Sequence, residues 1–333
     1  MLFQRDLSAL THISSSSAQT EAIPPVASRN DATLGIVSLV AGIAVFSAQD
    51  VIIKLLSDTY PVHQAMTIRS LVALPLLLAL VAVTGGVSTL VSKSAPLLAA
   101  RGAIMFVSYT SYYLAFAALP LATCVAIFFV APLFITILSA FFLRESVDAP
   151  RWVAVLMGFL GVLVIIRPGT VVFDAATLLP VLAALTYAVS QTLARKLGET
   201  NSAAVMTFYG NGVYLLAGIV LAMAFGGSGS TEGMHKSLSF LMRSWSDPSV
   251  RDLLLMAACG VIAAVGLTLL SQAYRSTRAS TVAPFEYVAI LLSIAYGWFI
   301  WGEWPDFIAW AGIAIVISSG LYVMARERGG QAS

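Results

Sequence analysis

Residues 121–143 read LATCVAIFFVAPLFITILSAFFL, an unbroken apolar run without a single charged residue. A helix rises about 1.5 Å per residue and the hydrocarbon core of a bilayer is about 30 Å thick, so a run of roughly 20 apolar residues spans it. Runs of this kind recur on both sides, separated by Pro, Gly and charged breaks. Read together, they predict about ten spans. The spans cover Thr33–Leu56, Val62–Val83, Ala95–Leu119, Leu121–Leu143, Trp152–Ile166, Ala175–Leu197, Ala203–Phe225, Leu253–Tyr274, Ala279–Trp301 and Phe307–Ala325. Several links are only a few residues long, which makes successive helices antiparallel neighbours.

Composition agrees. The 333 residues are 59% hydrophobic and 10% charged, against roughly 45–50% and about 25% in a soluble domain. A soluble fold has no means of hiding that much apolar surface. The net charge of +2 comes without a clustered basic face, which excludes nucleic acid as a partner. Cys124 and Cys259 lie inside apolar runs, so neither a disulfide nor a metal site is expected. Residues 1–30 are rich in Ser, Ala and Pro, lack the apolar core of a secretory signal and read as a disordered cytoplasmic tail. Residues 326–333 read as a second cytoplasmic tail.

Lys and Arg set the orientation, because positively charged loops stay on the cytoplasmic side. With the N-terminus inside, the inner segments carry Arg5, Arg29, Lys93, Arg101, Arg144, Arg151, Arg195, Lys196, Arg275, Arg278, Arg326 and Arg328. The outer loops keep Arg167, Lys236, Arg243 and Arg251. Both termini are therefore expected inside. In the long outer loop 226–252, Leu238, Leu241 and Trp245 recur at helical spacing. A short helix lying in the outer interface and a flexible connector both fit that spacing.

The chain also repeats itself. A shift of 158 places Thr123 on Thr281, Phe129 on Tyr287, Glu145 on Glu303 and Trp152 on Trp310, and a shift of 142 places Gln49 on Gln191 and Lys54 on Lys196. The difference between the shifts fits a long outer loop inserted in the second half. Halves of about five spans, an odd number, enter the membrane in opposite senses. The expected fold is all-α: two inverted five-helix repeats, 33–167 and 175–325, around a central cavity.

These features resemble the EamA branch of the drug/metabolite transporter superfamily from about Thr33 to Arg326. The resemblance rests on Arg69, Arg101-Gly102, the stretch from Ala122 through Pro132 to Glu145, Gly158 with Gly161, Arg167-Pro168-Gly169, Ala283-Pro284 and Trp301-Gly302-Glu303. It implies a ten-helix carrier in a bacterial inner membrane, with a small-molecule substrate, no cofactor and no ATPase domain. A homodimer is left open beside the single chain. Ala48-Gln49-Asp50 and Thr281 through Tyr287 are similar to bacterial uptake carriers of the riboflavin and S-adenosylmethionine kind. Riboflavin uptake is the first expectation. S-adenosylmethionine or amino-acid carriage or export is the alternative, and a membrane enzyme acting on lipids is the competing class.

Polar residues in hydrocarbon cost roughly 2.5–3.5 kcal/mol each when charged, so they face a cavity or a partner. Gln49, Asp50 and Gln191 are expected to line the cavity, although Asp50 and Lys54, four apart, also have the spacing of a pair along one helix face. Arg69 offers planar donors to a carboxylate, phosphate or ring carbonyl, with a helix–helix strut as the alternative. Arg101 reads as an interfacial anchor. Glu286, beside the helix-breaking Pro284 and flanked by Tyr287, is the strongest single candidate. Tyr113 and Tyr209 complete the expected substrate-binding set, while Glu145 and Glu303 read as caps or interface contacts. His-Glu-x-x-His, Gly-x-Ser-x-Gly and phosphate-loop patterns are absent from the sequence, which predicts neither catalytic residues nor a metal.

Overall fold

A computed structural model describes residues 29–142, 148–198, 200–227, 231–276 and 283–330, and no strand occurs among them. The helices are α1 (Arg29–Leu56), α2 (Val62–Thr84), α3 (Ala95–Phe116), α4 (Leu121–Phe128), α5 (Ala131–Phe142) and α6 (Ala149–Ile166). They continue with α7 (Leu178–Leu197), α8 (Ala203–Phe225), α9 (Lys236–Met242), α10 (Val250–Ser276), α11 (Val288–Trp301) and α12 (Phe307–Gly330). With α4 and α5 taken as one stretch, seven are long and apolar enough to cross a membrane, and two further apolar helices, Phe285–Trp301 and Phe307–Val323, are shorter. The 22-residue α3 is long enough but more polar. It packs against α7 and α8, so its buried Ser108, Thr110, Ser111, Tyr112 and Tyr113 meet protein instead of lipid.

The run at 121–143 is not one continuous helix. The chain leaves helical geometry after Phe128 and resumes at Ala131. Pro132 explains the break, because it has no N–H to donate and its ring collides with the carbonyl four residues earlier, that of Phe128. The expected ninth span, Ala279–Trp301, is broken as well. Its residues 279–282 lie outside the described residues, Ala283–Tyr287 form a 3-10 turn, and α11 begins at Val288. The two breaks face each other, with the Phe129 and Tyr287 rings 4.9 Å apart.

The helices pack in a regular set of pairs. α1 lies on α10 and α3 on α7; α2 meets α10 and α3 meets α8; α5 lies on α7 and α11 on α1. Three more pairs are α2 with α8, α4 with α11, and α6 with α12. Small residues let the last pair come close. A Cβ on Gly312 would meet Ile165 Cγ1 at 2.5 Å and the Gly161 carbonyl at 2.9 Å. With lipid as apolar as the side chains, such close backbone contact is what holds membrane helices together.

One end of the bundle, here the loop end, is tied shut by polar contacts. The Lys54 ammonium donates to both Glu303 carboxylate oxygens, at 2.8 and 2.9 Å, and to the Leu119 carbonyl at 2.8 Å. It also lies 4.9 Å from the Trp301 ring. Glu303 in turn accepts from the Leu121 backbone N–H at 3.2 Å, so one cluster joins α1, the α3–α4 link and the α11–α12 link. Nearby, Arg167 pairs with Asp306 and holds its carboxyl below the usual carboxylate range, chiefly through their hydrogen bond.

The long loop belongs to this end. Of the two expectations the short helix is the one seen, and α9 docks on α2 and α3 with Phe240 fully buried. Arg243 donates to the Ser57 and Tyr60 carbonyls at 3.0 and 3.3 Å, and Gln64 donates to the Ser246 carbonyl at 2.6 Å. The apolar Leu238, chosen from its spacing, is instead exposed. Phe240, which that spacing passes over, is the anchor.

Candidate functional site

Three helices bring the polar residues of the first half together. Gln49, on α1, is 2% exposed and donates to the Tyr113 hydroxyl on α3 at 2.7 Å. The neighbouring Asp50 is half-buried. It faces the Tyr112 hydroxyl and lies within electrostatic reach of Arg69 on α2. No ion pair joins Asp50 to Arg69.

The Arg69 guanidinium, in a side chain 8% exposed, lies 5.3 Å from the Tyr214 ring and 5.9 Å from the Tyr109 ring. Cation–π contact of this kind stabilises a desolvated cation by about 2 kcal/mol or more. Arg69 Nε and Gln49 Oε1 are buried without a hydrogen-bond partner, and the Tyr214 hydroxyl stands beside the same guanidinium. Buried polar atoms are normally satisfied, so these two are where a further polar group would bond.

Tyrosine rings shape the space. Tyr109 stacks on Tyr113 at 6.1 Å and meets Tyr214 edge-on at the same distance. Tyr112 contacts Phe128 at 4.9 Å, and Phe128 contacts Tyr187 at 5.4 Å. Steps of four along α3 carry Arg101, Met105, Tyr109 and Tyr113 down one face, which makes α3 the spine of the site.

A second polar cluster lies toward the opposite end, where Gln191 on α7 donates to the Tyr187 hydroxyl at 2.9 Å. Arg101 reaches the Ser190 carbonyl at 3.3 Å and Gln191 Oε1 at 3.4 Å. It is thus turned toward α7. Glu286 is half-buried and within electrostatic reach of the Tyr187 and Tyr287 hydroxyls.

Several expectations are revised by this placement. Asp50 and Lys54 do not pair, because the Lys54 ammonium is turned to Glu303 while Asp50 faces the tyrosines. Tyr209 stands apart from both clusters, its hydroxyl donating to the Leu90 carbonyl at 2.7 Å among the apolar residues Val81, Leu98 and Leu197. Tyr287 is buried against Phe129 and Gly320 with its hydroxyl unpartnered. Glu303 is an interface contact across the two halves; Glu145 lies outside the described residues. Tyr109, Tyr112, Tyr187 and Tyr214 stand out in the sequence among the span aromatics, of which about a third are expected to line a pore, but lie outside the expected substrate-binding set.

A cleft at the loop end, lined by Thr123, Arg167, Asp174, Glu303 and Asp306, shares no residue with either cluster. No group of three or more His, Cys, Asp or Glu side chains placed to hold a metal occurs among the described residues.

Comparison with known proteins fits this arrangement. Residues 33–167 and 175–325 each match the EamA-like transporter family. An S-adenosylmethionine uptake transporter of Rickettsia conorii is 29% identical over 228 residues, covering 68% of this chain and 71% of that protein. A riboflavin transporter of Vibrio cholerae is 32% identical over 209 residues, covering 62% of this chain and 64% of that protein. One solved crystal structure overlaps 90% of this chain and 99% of its own with a TM-score of 0.59 at 17% identity, a likeness of fold alone.

Proposed function

The chain belongs to the EamA-like transporter family, a membrane transporter and not an enzyme, and on that premise we propose a secondary carrier that takes up a small, flat organic metabolite. The observation that carries this reading is the Arg69 cluster. A buried guanidinium and a half-buried carboxyl lie near each other without pairing, beside unpartnered polar atoms and the rings of Tyr109, Tyr112, Tyr113 and Tyr214. An isolated charge in hydrocarbon is costly enough that such a cluster persists where it meets water or a polar solute.

Alternating access needs two halves able to rock, and the packing supports inverted repeats. Under the shifts of 142 and 158, α1 corresponds to α7, α2 to α8, α3 to α10, α4 with α5 to the 3-10 turn with α11, and α6 to α12. The pair α1–α10 then exchanges with α7–α3, α2–α10 with α8–α3, and α5–α7 with α11–α1. The pairs α2–α8 and α6–α12 map onto themselves, as does the contact between the α4–α5 stretch and the turn–α11 stretch when each is taken whole. Such an exchange is what a pseudo-twofold axis in the membrane plane produces, and ten spans in two halves is the topology proposed.

The distribution of Lys and Arg supports an inner-membrane protein with both termini cytoplasmic and the loop end outside. Single cysteines at positions 28, 230 and 333, in a background lacking Cys124 and Cys259, are expected to react with an impermeant thiol reagent in intact cells only at 230. Reaction at either terminus would reverse the orientation. Both halves of the cavity come from one chain, so the reading holds for a monomer and a homodimer alike.

Riboflavin and S-adenosylmethionine are the substrates to test first. Tyrosine rings suit either flat ring system. The buried charge of Arg69 favours the second, whose carboxylate would pair with it, since an uncharged isoalloxazine brings no countercharge. Uptake of each labelled compound into cells expressing the chain decides between them. Saturable uptake that counterflow accelerates supports the carrier, and solute-independent turnover of a lipid would remove it.

A further inference from the structure

The repeat relates Gln49 to Gln191, and each donates to a tyrosine hydroxyl, Gln49 across to Tyr113 on α3 and Gln191 along its own helix to Tyr187. Gln49 lies seven residues before the end of α1 and Gln191 six before the end of α7, about 9–11 Å in from opposite ends of the bundle. Each glutamine has an arginine and an acid close by, Arg69 with Asp50 at one end and Arg101 with Glu286 at the other. Tyr109 lies within reach of both guanidinia.

We propose that Arg101, Gln191 and Tyr187 form a second station for the substrate's carboxylate, to which Arg69 hands it past Tyr109 as the carrier changes face. This inference rests on the carrier reading above. It also narrows the substrate class to metabolites bearing a carboxylate, which binds a guanidinium at each station.

Arg101 has the chemistry for this. A guanidinium carries five N–H donors. The two protein bonds of Arg101 are 3.3 and 3.4 Å long, beyond the usual N–H···O range, so they hold the side chain in place without saturating it. Ser190, whose carbonyl accepts one of them, is fully buried, and its hydroxyl has no partner. A carboxylate lying along the guanidinium edge gains the paired geometry that an ammonium does not offer. An interfacial anchor needs only charge and length, and lysine supplies both.

That difference is the test. In proteoliposomes, uptake of labelled S-adenosylmethionine is measured for wild type, Arg101→Gln and Arg101→Lys, with competition by unlabelled S-adenosylmethionine and by its decarboxylated analogue. Wild type is expected to prefer the carboxylate-bearing compound. Both variants are expected to cut uptake by about tenfold and to lose about tenfold of that preference. Wild-type behaviour of Arg101→Lys would overturn the station and restore the anchor. Reduced uptake with the preference unchanged would overturn it too, since that is what a structural role predicts. Counterflow of riboflavin without S-adenosylmethionine counterflow would overturn the station while leaving the carrier intact. Counterflow of no solute would remove the carrier and the station together.

Discussion

Replacing Glu303 by Gln leaves the Lys54 ammonium, in a side chain 7% exposed, facing a carbonyl and an indole without its countercharge. Breaking a fully buried ion pair costs about 3–5 kcal/mol, while an exposed pair contributes about 1 or less. Glu303 is 28% exposed, which places this pair between those limits, at about 2 kcal/mol. The pair ties α1 to the α11–α12 link and, through Leu119 and Leu121, to the start of α4. Its loss therefore weakens the state in which the loop end is closed, and about 2 kcal/mol corresponds to a roughly thirty-fold shift in population toward opening. Ala122 is 4% exposed beneath this contact, so a cysteine there, in a background lacking Cys124 and Cys259, reports the opening. Its reaction with an impermeant thiol reagent is expected to accelerate at least tenfold in Glu303→Gln. Adding Lys54→Met should reverse most of that effect, because no charge is then left unpaired. Equal labelling rates in all three proteins would refute the reasoning, and so would a double variant more reactive than Glu303→Gln alone.

Glu286→Gln, nearly isosteric, is expected to insert and express normally while transport falls about tenfold or more, the equivalent of about 1.4 kcal/mol; wild-type transport between about pH 5 and 8 would strike Glu286 from the site. Gly312→Ala places a Cβ 2.5 Å from Ile165 Cγ1 and is expected to destabilise by about 1–3 kcal/mol, read as a lowered melting temperature in detergent. Gly210→Ala, where nothing lies within 4 Å, is expected to melt no lower than wild type. Asp306 is held below the usual carboxylate range, so its contribution is fully present above its unfolded value near pH 4 and is lost as the pH falls through the lower folded value. Asp306→Asn should accordingly lose less melting temperature than wild type on acidification from about pH 6 to 3; an equal loss would contradict the sign.

What the sequence disclosed follows from which interactions are local. Span lengths depend on hydropathy over successive residues, so α2 and α8 fall within a residue of the expected Val62–Val83 and Ala203–Phe225. The break at Phe129 was latent in Pro132, but hydropathy averages over a kink, and the run at 121–143 read as a single helix. The orphaned polar atoms of Gln49 and Arg69 were foreshadowed by their residue types, because amide and guanidinium groups do not face lipid. The destination of Lys54 was not. Its neighbour by spacing is Asp50, and only the tertiary fold brings Glu303, 249 positions away, into the same cluster. Tyr209 was misplaced for the same reason, since a tyrosine in a span serves as a cavity wall or as a strut to a distant carbonyl, and the partner Leu90 decides which.

Counterflow in proteoliposomes containing the purified chain, with Arg69→Gln alongside wild type, addresses both the carrier and its site. Wild-type vesicles preloaded with unlabelled S-adenosylmethionine are expected to accumulate the labelled compound transiently, and Arg69→Gln vesicles to do so at least tenfold more slowly, as loss of a charge-assisted hydrogen bond of about 1.5–3 kcal/mol implies. Counterflow in Arg69→Gln at the wild-type rate would place the substrate elsewhere, and wild-type vesicles that show no counterflow with this compound or with riboflavin would contradict the carrier itself.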